Sequence, residues 1–253
     1  MAEHALPAAY AVLVWWFSTG LILFLDRRPR RTFRWSMAGA TALAGVALYG
    51  LVTSRTDTTA AGAYAAFTSA LVLWGWHEMA FLMGFVTGPR RASLPEGCAG
   101  RRRFLLAFQV VLHHELALAA TAVVVAWLTW GGPNQLGLWT FGALWLLRLS
   151  AKLNLFLGVP NTAEAMLPAH LRYLASYFGR RPMNPLFPAS AAASTVAAAL
   201  LLAAAAGTAG PAAVGLTLLG TLVALGALEH GLFVLPLPAE ALWSRWARPA
   251  PAR

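Results

Sequence analysis

The chain has 253 residues, of which 59% are hydrophobic and 11% charged, with a formal net charge of +10. A charged fraction under half the roughly 25% of soluble domains, with a mean hydropathy of +0.62, excludes a water-soluble globule and a disordered chain alike. Cys98 is the only cysteine, which excludes a disulfide scaffold, and the class that remains is an all-α, polytopic membrane protein.

Seven apolar stretches are long enough to cross a bilayer, where roughly 20 residues are needed. In chain order they fall near 7–25, 33–53, 62–86, 104–130, 134–157, 187–206 and 211–235, so residues 1–253 read as one transmembrane domain. The first does not resemble a cleaved signal peptide. Glu3 and His4 precede it in place of Lys or Arg, the apolar run is long, and a basic loop follows.

The basic residues orient these spans. Arg27, Arg28, Arg30, Arg31 and Arg34 follow the first, and Arg90, Arg91, Arg101, Arg102 and Arg103 follow the third. Arg148, Lys152, Arg172, Arg180 and Arg181 lie within or after the fifth, and Arg245, Arg248 and Arg253 end the chain. Arg55 alone falls on the other side. By the positive-inside rule the basic side is cytoplasmic, which predicts an N-terminus outside and a C-terminus inside. The pI of 11.2 then reports topology, and the basic clusters form no separate module of the kind that binds nucleic acid. Trp127, Trp130 and Trp139 read as an aromatic belt at the opposite interface.

Between spans five and six, about 158–185, Met166, Leu167, Leu171, Leu174, Tyr177 and Phe178 recur at helical spacing, with Arg172, Arg180 and Arg181 beside them. That pattern predicts a helix lying in the cytoplasmic interface, either a connector or a docking surface. The tail Trp243-Ser244-Arg245-Trp246 resembles a second interfacial anchor, and the alanine run of 189–206 predicts a close helix-packing face.

Charged groups inside a span are costly, so each marks a candidate site. Glu78, Glu115 and Glu229 lie within spans, each beside histidine: His77-Glu78, His113-His114-Glu115 and Glu229-His230. At helical rise Glu78 lies about 15 Å before Gly88, Glu115 about 16 Å after Phe104 and Glu229 about 10 Å before Pro236. Arg148 and Lys152 approach the same slab from span five, one turn apart on one face, with Asn154 beyond them. Three chemistries fit. One is a buried ion-pair network that fixes helix register. Another is a metal site, such as non-haem iron, drawn from His77, Glu78, His114, Glu115, Glu229 and His230. The last is a tetrapyrrole held by an axial histidine, with Trp74, Trp76 and Phe81 flanking His77. Against a tight metal focus, the Glu-x-x-His spacing is absent and adjacent His and Glu point about 100° apart on a helix.

The stretches LWGWHEMAFLMGFVTGPRR (73–91), HHELALAATA (113–122), PNQLGLWTF (133–141), LRLSAKLNLFLGVPN (147–161) and YLASYFGRRPMNPLFP (173–188) resemble the PuhE family over about residues 10–235. These are photosynthetic complex assembly proteins of purple phototrophic bacteria. The resemblance implies a role in assembling the reaction centre and core antenna or in supplying bacteriochlorophyll, with the antenna subunits or pigment-synthesis enzymes as partners. It carries His77, Glu78, His114, Glu115, Arg148, Lys152, Asn154 and Asn161 as family-like positions without assigned roles. Two other expectations stand beside it: a metal-dependent membrane enzyme acting on a tetrapyrrole or isoprenoid, and a structural subunit of the antenna complex.

Overall fold

The computed structural model describes residues 2–235, so the expected anchor at Trp243-Ser244-Arg245-Trp246 and the terminal arginines lie outside the described residues. The described chain is all-helical. Seven α-helices follow one another: α1 Ala2–Asp26, α2 Phe33–Ser54, α3 Ala60–Leu82, α4 Gly100–Thr129, α5 Leu136–Leu157, α6 Leu186–Ala206 and α7 Gly210–Leu232. Short 3-10 turns occupy Arg30–Thr32, Glu164–Met166 and Ala169–Tyr177.

Among the described residues five helices, α1, α2, α4, α6 and α7, are long and apolar enough to cross a membrane. The other two, α3 and α5, match them in length but fall short in apolarity. His77 and Glu78 dilute α3, and Arg148, Lys152 and Asn154 dilute α5. The packing explains how those polar groups are tolerated. Helix α3 is the hub, touching α1, α2, α4, α5 and α7. One of its faces joins Phe67 and Leu71 to Ala11 of α1 and to Val214, Leu218 and Leu222 of α7. Another joins Ala70 and Leu73 to Leu51 of α2, Leu118 and Val125 of α4 and Phe141 of α5. In lipid, burial of leucine against leucine gains little over leucine against acyl chain, so close packing and polar contacts must hold such helices together. The alanine run of α6 meets this need by packing mainly along α7.

The far end of the bundle is tied by the Pro133-Asn134-Gln135 turn. Asn134 Nδ2 donates to the carbonyls of Ser54, Asp57 and Gly62, at 3.0, 3.0 and 3.1 Å. Gln135 Nε2 donates to Thr129 and Gly132 carbonyls. Thr59 caps α3 by accepting the Gly62 N–H. Trp127, Trp130 and Trp139 are all exposed around this end, as a belt would be.

The basic end departs from expectation in two places. Helix α3 stops at Leu82 instead of running to 86, because Gly84 takes φ +81 and turns the chain away. Glu78 is therefore one turn, about 6 Å, from the helix end, and not about 15 Å. The segment expected as one interfacial helix is instead a protein-facing cap built on two 3-10 turns. Pro160, Pro168 and Pro182 interrupt any continuous α-helix there. Leu171, Leu174 and Tyr177 bury themselves with Val110 against Phe81, Leu106 and Ala107. The same apolar spacing that suits a membrane surface suits this wall, which α4 offers by projecting beyond the shorter α3.

Candidate functional site

Under that cap, α3, α4 and α5 bring six of the expected polar residues together. Arg148 donates to Glu78 Oε2. One turn along α5, Lys152 Nζ donates to Glu115 Oε1 at 2.6 Å, and Trp145 Nε1 donates to Glu115 Oε2 at 3.2 Å. The i, i+4 spacing of Arg148 and Lys152 thus sets two cationic rungs, one reaching α3 and one reaching α4. Glu78 and Lys152 are largely enclosed, while Arg148 keeps 43% of its side chain exposed.

The histidines complete the cluster unevenly. His77 Nε2 hydrogen-bonds Thr121 Oγ1 of α4 at 2.8 Å. Fully buried His114 lies with Nε2 3.8 Å from Glu78 Oε1, beyond hydrogen-bond range. Its ring sits 4.7 Å from Phe81 and 6.5 Å from His77, measured between centroids. Among the described residues Glu78 Oε1, His77 Nδ1 and both His114 ring nitrogens find no hydrogen-bond partner. The backbone at His114 is engaged: its N–H donates 2.9 Å to the Thr87 carbonyl of the 83–99 loop. That approach needs Gly88, because a Cβ there would collide with the α4 backbone at Gln109 and Val110.

Four expected residues stand apart from this focus. His113 is exposed on the outer face of α4. Glu229 lies within electrostatic reach of Arg148 but makes no ion pair among the described residues. His230 is satisfied at both nitrogens: Nδ1 donates to the Gly226 carbonyl and Nε2 accepts from Ser150 Oγ, each at 2.8 Å. Because a carbonyl can only accept, the first bond fixes the tautomer and makes Nε2 the acceptor. Buried Asn154 is a joint. Its Nδ2 donates to Ser190 Oγ of α6 at 2.9 Å, and its Oδ1 accepts from Asn184 Nδ2 at 3.1 Å. Asn184 also donates to the Gly158 carbonyl and accepts the N–H groups of Leu186 and Phe187, capping α6. Family-like Asn161 donates to the Leu232 carbonyl at the end of α7.

The donor set does not fit the expected metal. Among the described residues no three of His, Cys, Asp and Glu come together to hold an ion. The chemistry agrees: Arg148 takes Glu78 Oε2, and Lys152 and Trp145 take the two oxygens of Glu115, which leaves Glu78 Oε1 as the one free carboxylate oxygen of the two acids. A tetrapyrrole would need room beside an axial ring nitrogen, and the His114 ring is packed against Phe81 while His230 spends both nitrogens on the protein. His77, His114 and His230 are all buried within the bundle. The arrangement is instead suited to holding α3, α4 and α5 in register. Sequence reasoning missed Thr121, Trp145, Ser150, Asn184 and Thr87, all neutral. Only Asn184, an Asn-Pro just before an apolar run, carries a readable capping signal.

The sequence matches, over residues 1–253, a family described as protein of unknown function DUF3623. It is 42% identical over 250 residues to a Rhodobacter capsulatus protein described as "Uncharacterized 30.4 kDa protein in puhA 5'region", covering 97% of this chain and 91% of that protein. No solved structure matches.

Proposed function

The chain belongs to the DUF3623 family, and from that membership we propose that it is a multi-pass inner-membrane assembly factor for photosynthetic complexes, of the PuhE type. The observation that carries the reading is the Rhodobacter capsulatus relative in the puhA 5′ region, whose gene position agrees with the family that the sequence blocks resemble. The site geometry supports a scaffold over a catalyst, since the intramembrane charges are committed to one another across three helices. In this reading all seven helices cross the bilayer, with the capped basic end in the cytoplasm. There the cap would meet reaction-centre or core-antenna subunits, or the enzymes that supply bacteriochlorophyll.

The test is deletion of the gene in a phototrophic host, followed by absorbance of isolated membranes and extraction of pigment intermediates. Loss of assembled reaction centre and core antenna, with normal pigment synthesis, is the expected result. Accumulation of a tetrapyrrole or isoprenoid intermediate would place the protein among the enzymes instead. Copurification in fixed ratio with the mature complex would make it a structural subunit.

A further inference from the structure

At the basic end a cavity of about 420 Å³ opens between the 3-10 turn after α1, the start of α2, the loop after α3 and the cap. Arg30 and Arg91 line it from separate elements, with His170 and Tyr173 of the cap, Thr87 of the loop, and an apolar flank of Phe33, Met83 and Phe85. No acidic residue lines it, and neither arginine has an ion-pair partner among the described residues. Both guanidiniums act on the same imidazole, each lowering the proton affinity of His170. The chain therefore gathers two positive charges, both reaching solvent, around one hollow that an anion would neutralise.

The remaining polar groups favour that occupant. The hydroxyls of Thr87 and Tyr173 are buried and close together, yet among the described residues neither forms a well-made hydrogen bond to a protein group. His170 Nε2 donates to the Leu82 carbonyl at 2.8 Å, which closes the C-terminus of α3 and leaves Nδ1 on the other side of the ring. Glycine suits position 84, since its φ of +81 strains any side chain and a Cβ would crowd His170 Cδ2 at 3.1 Å. Guanidinium groups bind phosphate through paired, charge-assisted hydrogen bonds, and hydroxyls add neutral donors. Basic pockets at the cytoplasmic ends of membrane helices take phospholipid headgroups for this reason.

We propose that this cavity is a phosphate-binding site, with the phosphate held between Arg30 and Arg91, hydrogen-bonded by Tyr173 and Thr87, and flanked on one side by Phe33 and Phe85. The bound group is either the phosphodiester of an anionic phospholipid, whose chains pass along the apolar flank, or free phosphate. The cavity floor also touches the polar cluster, because the Thr87 carbonyl holds the His114 N–H. Occupancy would therefore steady the loop that holds the His114 N–H.

The test is binding to the full chain in neutral-headgroup micelles, read by native mass spectrometry, with phosphatidylglycerol in one arm and inorganic phosphate in the other. The expected result is one saturable phosphatidylglycerol per chain. Its affinity should fall about tenfold or more in Arg30→Gln/Arg91→Gln, since each charge-assisted bond is strong. Tyr173→Phe should give a smaller loss. Arg101→Gln/Arg102→Gln, an exposed pair with the same charge change outside the cavity, should bind as the wild type does. Saturable inorganic phosphate with the same variant pattern, and no lipid adduct, would keep the site and assign it to free phosphate. Equal losses in both arginine pairs, or no saturable binding in either arm, would overturn it.

Discussion

Glu78 and Arg148 show how a costly residue becomes a specifying one. Each charge is unfavourable in the bundle alone, and together they join α3 to α5. Removing one partner of a buried pair costs about 3–5 kcal/mol, and the 43% exposure of Arg148 reduces that to roughly 1–3. Glu78→Gln and Arg148→Gln should each lower the thermal unfolding midpoint in detergent. The double variant should lose clearly less than the two losses added, and strict additivity would mean the pair is not coupled. His170, outside the spans, offers a pH test. Burial above all, then Arg30 and Arg91 against the opposing Leu82 hydrogen bond, hold it below its ordinary value of 6.5. A histidine with a depressed folded value is protonated first in the unfolded chain. Its contribution is thus intact above about pH 6.5 and shrinks as pH falls below that value. Unfolding midpoints should drop on acidification in the wild type and less so in His170→Gln. Sequence disclosed the charged members of the cluster because charge inside an apolar run stands out. It could not disclose that His113 faces outward or that His230 is bonded to Ser150, since both depend on helix rotation.

At the scale of the elements, the joint between α5 and α6 rests on one side chain. Asn184 serves two donors and two acceptors at once: it bridges Asn154 and Gly158 and caps α6. Asn184→Ala would strand several buried groups at about 1–3 kcal/mol each, and a destabilisation of about 2–4 kcal/mol is expected. Trypsin cleavage after Arg180, exposed just before the joint, should accelerate in that variant. Unchanged cleavage would show that the cap holds without it. The helices were legible from their apolar runs, to within a few residues at most ends. The cap was not, because a spacing of apolar residues says which face is buried and is silent on whether lipid or protein buries it.

For the whole molecule, the basic loops gather at one end, and Cys98 supplies a native reporter there. It is half-buried in the loop leading into α4 and has no disulfide partner. With the basic end in the cytoplasm, a membrane-impermeant maleimide should label Cys98 in inverted vesicles and spare it in intact spheroplasts. Cys98→Ala with Thr58→Cys, an exposed position at the opposite end, should reverse the pattern. Labelling of Cys98 from the periplasmic side would refute the orientation. The number of crossings is hard to read from apolarity, because α3 and α5 dilute theirs with the groups that bind them to each other.

That mutual dependence has a consequence for synthesis. A ribosome releases α3 long before α5, yet the cation for Glu78 arrives only with Arg148, seventy positions later. During that interval the insertion machinery holds a helix that the bilayer has little reason to accept. The hub of the bundle would then be among the last helices to settle, entering lipid once its counterion emerges. Nascent chains arrested before residue 136 should leave α3 accessible to protease or glycan tagging, and chains arrested after α7 should protect it. Protection at the earlier stage would mean that α3 enters unaided.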